Sequence, residues 1–265
     1  MNPFTMRANR LNFITAVLAC LIFWSCTHTT EEYQTDQLSQ YVPLQVGKYI
    51  TYQLDSTVFP NFGIKVEVHS YQEKQVVDAQ FPDGLGRPSY RILRFIRDTA
   101  GTQPWTSAGT YFITPTTKTV EVIENNLRFV KMVLPIKQDY TWKGNQYLPD
   151  DPFSPVFDFK VNTGLELWDY TYTSLDGTES IKNQTYNNVL TMDAINDAAN
   201  MDPSTSSVAD PNGSGYVSRL EDKYAKGLGL IYEEFIMWEY QPPNAANPSG
   251  AKIGFGVKRS IIDHN

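Results

Sequence analysis

The sequence predicts an all-β fold, with about ten to twelve antiparallel strands in a strongly curved sheet or half-barrel, or in a two-layer sandwich, and one short helix at most. Three observations carry this expectation. Beyond Tyr41, apolar and polar residues alternate with period two, the spacing that puts apolar side chains on one face of a pleated strand. Asn125-Asn126 and Asp176-Gly177 interrupt such runs as two-residue hairpin turns do, because those turns need positive φ and select Asn, Asp and Gly. Tyr (16), Phe (14) and Trp (5) are abundant and fall among Val, Ile and Thr, the types that pack well on a pleated surface.

In chain order, residues 1–25 come first and have the layout of an export signal. Arg7 and Arg10 form a positive start, and residues 13–24 are nearly uninterrupted apolar positions. That run is short of the ~20 residues a membrane-spanning helix needs, and the acidic Glu31-Glu32 follow it instead of basic stop-transfer residues. The Ser25-Cys26 step resembles the lipobox of bacterial lipoproteins, in which the cysteine is lipidated and the bond before it is cut. Phe23-Trp24 departs from the small or aliphatic pair of that box. Cys20, after Val17-Leu18-Ala19, fits it better by residue type, but cleavage there leaves Leu21-Ile22-Phe23-Trp24 at the mature N-terminus. Cys26 is therefore the favoured lipid attachment and Cys20 the alternative. The expected organisation is signal peptide 1–25, flexible tether 26–40 and one β-rich domain 41–265.

Both cysteines of the chain lie in or directly after this leader. The folded part then has no disulfide, no thiol nucleophile and no thiolate metal site, and its core must hold it together. Without Arg7 and Arg10, 20 basic residues face 29 acidic ones, a formal charge of −9. Such a surface is repelled by nucleic-acid phosphates and anionic head groups, leaving the lipid as the expected membrane contact. Outer-membrane anchoring follows, with periplasmic and surface faces both open.

The first strand pattern sets Ile50, Tyr52, Leu54 and Val58 against Thr51, Gln53, Asp55 and Thr57. A second sets Ile64, Val66 and Val68 against Lys65, Glu67 and His69. Residues 90–97 carry apolar side chains on both parities, which suggests a strand covered on both sides. The turn at Asn125-Asn126 separates strands at 119–124 and 127–134, and Phe157, Phe159 and Val161 alternate further on. The turn at Asp176-Gly177 separates 165–175 from 178–181. Residues 189–200 alone have helical character, weakened by Asp193, Asn196 and Asp197. After a polar loop at 200–215, Leu228, Leu230, Tyr232, Ile236, Trp238 and Tyr240 share one parity. A second loop at 242–250 precedes the last strand, marked by Ile253, Phe255, Val257 and Ile261.

Pro43-Leu44-Gln45-Val46-Gly47-Lys48-Tyr49 and, later, Tyr224-Ala225-Lys226-Gly227-Leu228-Gly229-Leu230-Ile231-Tyr232 resemble stretches of a group of uncharacterised Bacteroidota lipoproteins. The resemblance implies a lipid-anchored envelope protein and says almost nothing of activity. Physically, Gly47 suits the end of a turn, and Gly227 and Gly229 suit a bulge or a close backbone approach.

Catalytic chemistry finds little footing. The three histidines are His28 in the tether, His69 on a polar parity and His264 beside the C-terminus. No G-x-S-x-G, H-E-x-x-H, P-loop or G-x-G-x-x-G pattern occurs. Adjacent acids, Asp150-Asp151 and Glu233-Glu234, point to opposite faces of a strand, although acids from separate strands can converge as a glycosidase requires. Asp202, Asp210, Asn212 and Gly213 lack the spacing of a calcium loop. No cofactor, metal or catalytic residue is expected.

Binding is the favoured function. Trp168, Tyr170 and Tyr172 share a parity and stand in a row, as a stacking platform or pocket lining does, although core packing is the favoured reading. Trp105, beside Pro104 in a loop, has less reason to be buried. The expected protein is a binding or interaction module for a glycan, an apolar ligand or an envelope protein. The alternatives are a scaffold subunit of an outer-membrane assembly and a glycan-active hydrolase.

Overall fold

The computed structural model describes residues 35–265 except Ala246; Cys20, Cys26, His28 and the tether up to residue 34 lie outside the described residues. A short helix, α1 (Leu38–Tyr41), is followed by twelve strands: β1 (Tyr49–Val58), β2 (Glu67–Pro82), β3 (Pro88–Asp98), β4 (Thr106–Pro115), β5 (Thr119–Glu124), β6 (Leu127–Val133), β7 (Thr141–Trp142), β8 (Tyr170–Ile181), β9 (Gln184–Ala199), β10 (Gly215–Ala225), β11 (Gly229–Gln241) and β12 (Ala251–His264). They form one sheet in the order β6-β5-β4-β3-β2-β1-β12-β11-β10-β9-β8-β7. Every neighbouring pair is antiparallel.

This order is a meander whose first and last strands pair at its centre, so the two edges belong to strands adjacent in sequence. The edges meet. Val130 of β6 donates its N–H to the carbonyl of Gly144, just after β7, at 2.7 Å, and the Trp142 indole N–H donates to the Val130 carbonyl at 2.8 Å. The sheet is thus a nearly closed barrel, in which β7 pairs with β8 at Tyr170 and Thr171 and the rest of β8 keeps an open edge.

Closure needs curvature, and bulges supply it. Register shifts occur between Thr51 and Tyr52 against β12, between Val77 and Ala79 against β3, and between Lys223 and Tyr224 against β11. The last leaves Ile231 as the extra residue and reverses the parity of β11. Leu230 and, beyond the bulge, Glu233 and Phe235 line the interior. Ile236, Trp238 and Tyr240 instead pack with Met201 and Val217, against Phe59 and Val208. The single parity expected from Leu228 to Tyr240 is therefore broken in two.

Asn125 and Asn126 (φ 50° and 63°) form the expected hairpin turn. Asp176-Gly177 does not: β8 runs through it as an irregular stretch, with register shifts from Tyr172 to Thr178. The turn lies instead at Lys182-Asn183, both at positive φ (50° and 69°). Residues 189–200 are strand, not helix. Leu190 and Met192 are fully buried, and β9 ladders with β8 and β10 on its two sides, so tertiary pairing overrides a weak local preference.

Phe157, Phe159 and Val161 lie in a loop rather than a strand. What holds that loop is Glu239, fully buried, whose carboxylate accepts the N–H groups of Lys160 (2.8 Å), Val161 (2.8 Å) and Asn162 (2.9 Å). Ile64 and Val66 precede β2 and, with Val68, are exposed. Helix α1 starts within the last residues of the stretch expected to be tether. Leu38 is 5% exposed, and Thr35 is bonded both ways to Ile136, accepting its N–H at 2.8 Å and donating to its carbonyl at 3.0 Å. Thr35–Asn265 form one compact unit.

Candidate functional site: the barrel interior

Period-two alternation points one set of side chains into the barrel. Along neighbouring strands these are Ile92 and Arg94, then Tyr111 and Ile113, then Val120, Val122 and Glu124, then Leu127, Phe129 and Lys131; with β1, β2 and β10–β12 they line a cavity of about 910 Å³. That volume falls in the upper range for small-molecule sites. Its walls are mainly aliphatic where β1 and β11 begin (Ile50, Leu228, Leu230) and aromatic at the other end (Phe153, Phe235, Phe255).

Between these zones runs a belt of charge. Strand register sets Glu233 opposite Arg259, Asp222 opposite Glu233 and Gln75 opposite Arg94, so the charged groups share one level of the barrel. Arg259 Nε donates to Glu73 at 2.6 Å and its Nη1 to Glu233. Arg94 pairs with Glu124. Lys131 donates to Asp222 at 2.8 Å and lies 3.8 Å from Glu233. Gln75 donates to Glu73 at 3.1 Å and accepts from the Tyr111 hydroxyl at 2.8 Å.

Pairing decides the ionisation of these groups, since a buried charge persists only where others compensate it. Burial works against ionisation of Glu233, but Arg259 and Lys131 outweigh it and hold its carboxyl below the ordinary range. Burial also opposes charge on Lys131, and Asp222 and its neighbours more than reverse this. Asp222 goes the other way. Burial pushes its carboxyl up to about 6 even with Lys131 beside it.

The cavity lining reaches the surface at Ser39, Gln45, Lys48, Gly227 and Asn265, and again at Asn125 of the β5–β6 turn, all of them exposed. The first group is a rim built by the two stretches singled out in the sequence. Pro43, Leu44, Gln45, Lys48 and Tyr49 of the first line the cavity, as do Tyr224, Gly227, Leu228, Gly229 and Leu230 of the second. They are tied together. Gly227 (φ +80°) donates its N–H to the Gln40 carbonyl at 2.6 Å, and Lys226 pairs with Asp36 at 2.7 Å. A Cβ on Gly229 (φ +117°) would stand 3.3 Å from Ile50, so the glycine allows the rim to close. Gly47 (φ +92°) ends the turn before β1.

Of the four aromatic candidates, none lines the cavity. Tyr170 and Tyr172 are fully buried and pack on Trp142, with ring centroids 5.7 Å and 4.5 Å away. Trp168 (7% exposed) precedes β8, after a 3₁₀ turn at Leu165–Leu167, and packs edge-on to Phe235. They are core because they close the β6–β7 seam: the Tyr172 hydroxyl bonds Val133 and that of Tyr170 bonds Asn145. Trp105 is partly buried under the Arg97 guanidinium, 4.2 Å from its ring centroid, in the β3–β4 loop. His69 pairs with Glu67 at 3.0 Å on the surface. Asp202 and Asp210 cap turns of their own loop, accepting the N–H groups of Ser204 and Asn212.

The belt was missed because inward-facing charges read as solvated ones. A signal existed: Arg94 shares its parity with Ile92 and Ile96, and Arg259 shares its parity with Val257 and Ile261. A charge on the apolar parity of a strand either breaks the pattern or marks a polar interior.

No protein-family model and no curated protein matches this chain.

Proposed function

We propose that this protein is a binding protein of the cell envelope that holds one small, mainly apolar molecule inside its barrel. The observation that carries this reading is the cavity of about 910 Å³ with aliphatic and aromatic walls around a charged belt. Apolar surface of that extent gains free energy when a ligand displaces water from it, and a few polar groups at a fixed level give such a site orientation and specificity.

The competing readings have less support. An assembly scaffold acting by strand addition needs a bare edge; β6 and β7 face one another, which leaves the stretch of β8 beyond Thr173 as the open edge among the described residues. Glycan hydrolysis needs a protonated acid in the cleft. Glu233 is held ionised, and Asp222, whose carboxyl is raised, sits behind Lys131 and does not line the cavity. The lipid anchor at Cys26 belongs to the proposal and rests on the residues around Ser25-Cys26.

The test is retention of a ligand. Wild-type protein and the lumen-filling variant Val122→Trp are purified from their native membrane, extracted with solvent and compared by mass spectrometry, with the apolar dye N-phenylnaphthylamine as a direct probe. A molecule recovered from wild type alone, with dye binding lost in the variant, is expected. Equal recovery and equal dye binding would overturn the proposal.

A further inference from the structure

Two polar atoms of the lumen wall are left unmatched by the protein. Tyr224 lines the cavity and is 8% exposed, and among the described residues nothing hydrogen-bonds its hydroxyl. Glu233, which also lines the cavity, gives one carboxylate oxygen to Arg259. Its other oxygen has Lys131 at 3.8 Å, beyond hydrogen-bond distance. Buried polar groups are nearly always satisfied, so each of these atoms is short of a partner.

The two side chains are neighbours. Register sets Glu233 opposite Asp222 and Leu230 opposite Tyr224, so Tyr224 and Glu233 stand diagonally across paired strands, within reach of one small group. The Tyr224 hydroxyl also feels Tyr52 from β1 and Tyr111 from β4. Those strands belong to other sides of the barrel, as an inward-pointing hydroxyl requires.

Protonation fixes what each group needs. Glu233 is ionised, because Arg259 and Lys131 outweigh its burial, and it can only accept. Tyr224 keeps its proton, because burial and the carboxylates of Asp222 and Glu233 oppose its loss, and it can donate. A group bridging them must donate to Glu233 and accept from Tyr224. An ammonium cannot accept, and a carboxylate cannot donate. The belt also leaves no unpaired charge for an ionic head, since Arg94 holds Glu124, Lys131 holds Asp222, and Arg259 holds Glu73 and Glu233. A hydroxyl is the smallest neutral group that both donates and accepts.

Resting on the reading of the interior as a ligand site, we infer that the barrel takes a neutral amphiphile with an alcohol group. The alcohol bridges Tyr224 and Glu233 at the belt, and the hydrocarbon lies along the aliphatic wall of Ile50, Leu228 and Leu230 that leads to the rim.

Four probes of equal chain length test this on the full domain: dodecanol, methyl dodecyl ether, dodecylamine and dodecanoate, each measured by displacement of N-phenylnaphthylamine. Dodecanol is expected to bind most tightly, about tenfold better than the ether, which cannot donate to Glu233. Tyr224→Phe removes a hydroxyl that bonds nothing in the protein, so the fold keeps its hydrogen bonds, and dodecanol should bind this variant about fivefold more weakly. The ether, the amine or the carboxylate matching dodecanol on wild type would overturn the alcohol inference, as would an unchanged dodecanol affinity in Tyr224→Phe. Dye binding by wild type would in each case leave the lumen as a ligand site. Failure of all four probes and of the dye would overturn the ligand-site reading itself.

Discussion

The hydroxyl of Tyr52, in the opening strand, donates to the carbonyl of Leu230 in β11 at 2.9 Å. It spans the barrel wall across β12, because β12 separates β1 from β11 in the sheet. Tyr52 is 1% exposed, and this one bond fastens the strand after the first distinctive stretch to the second. Tyr52→Phe leaves the Leu230 carbonyl without that donor and should cost about 1 kcal/mol. Urea unfolding measures it, and amide exchange around 227–231 should accelerate if the bond holds the rim.

Asp222 governs a distinct pH signature. Its folded-state carboxyl lies near 6, above the unfolded value of 3.8, so the native state keeps this proton while the unfolded chain loses it. Stability from this group is therefore present at low pH and lost as pH rises from about 4 to about 6. Other carboxylates titrate over the same interval, Glu233 in the opposite sense, so the readout is a difference. Wild-type stability minus that of Asp222→Asn should decline across the interval, and a flat difference would contradict the assignment.

Glu239 anchors the 157–162 loop: the N–H groups of Lys160, Val161 and Asn162 all converge on its carboxylate. Glu239→Gln puts an amide where acceptors are needed. The expected loss is about 2 kcal/mol or more, with limited proteolysis newly cutting near Phe157 and Phe159.

Gly254 pairs with Trp238 across β11 and β12. Its φ is +106°, and a Cβ there would lie 1.9 Å from the Met237 carbonyl oxygen. Gly254→Ala must shift backbone at the centre of the sheet, and a loss above about 3 kcal/mol is expected, read as a fall in thermal midpoint. Gly227→Ala is the control: its Cβ meets nothing within 4 Å, so only the strain of its positive φ is paid.

Lipidation has its own test. Cys26→Ala should abolish labelling by a radioactive fatty acid and release the protein from membranes. Labelling that survives this change but is lost in Cys20→Ala would move the anchor.

The strand class was legible because alternation is local: Ile50-Thr51-Tyr52-Gln53 reads the same in isolation as in the sheet. The Asn125-Asn126 turn was legible for the same reason, since positive φ is a preference of the residues themselves. Asp176-Gly177 has the same local chemistry and became an irregularity within β8, because the registers of β8 and β9 are set by pairing along their whole length. Residues 189–200 became strand because β8 and β10 each offer them a ladder.

The interior site was the least legible. Arg94, Lys131, Glu233 and Arg259 are ordinary charges when read one at a time, and the aromatic row at 168–172, favoured as core and only secondarily a ligand platform, is core. Composition and period two were enough for an all-β chain, and residues 1–26 for an expected export signal, because those properties belong to short segments. Which side of each strand faces inward, and which charges meet there, depended on closure of the barrel. Closure brings residues from opposite sides of the seam, such as Lys131 and Asp222, to 2.8 Å, and no local pattern encodes that distance.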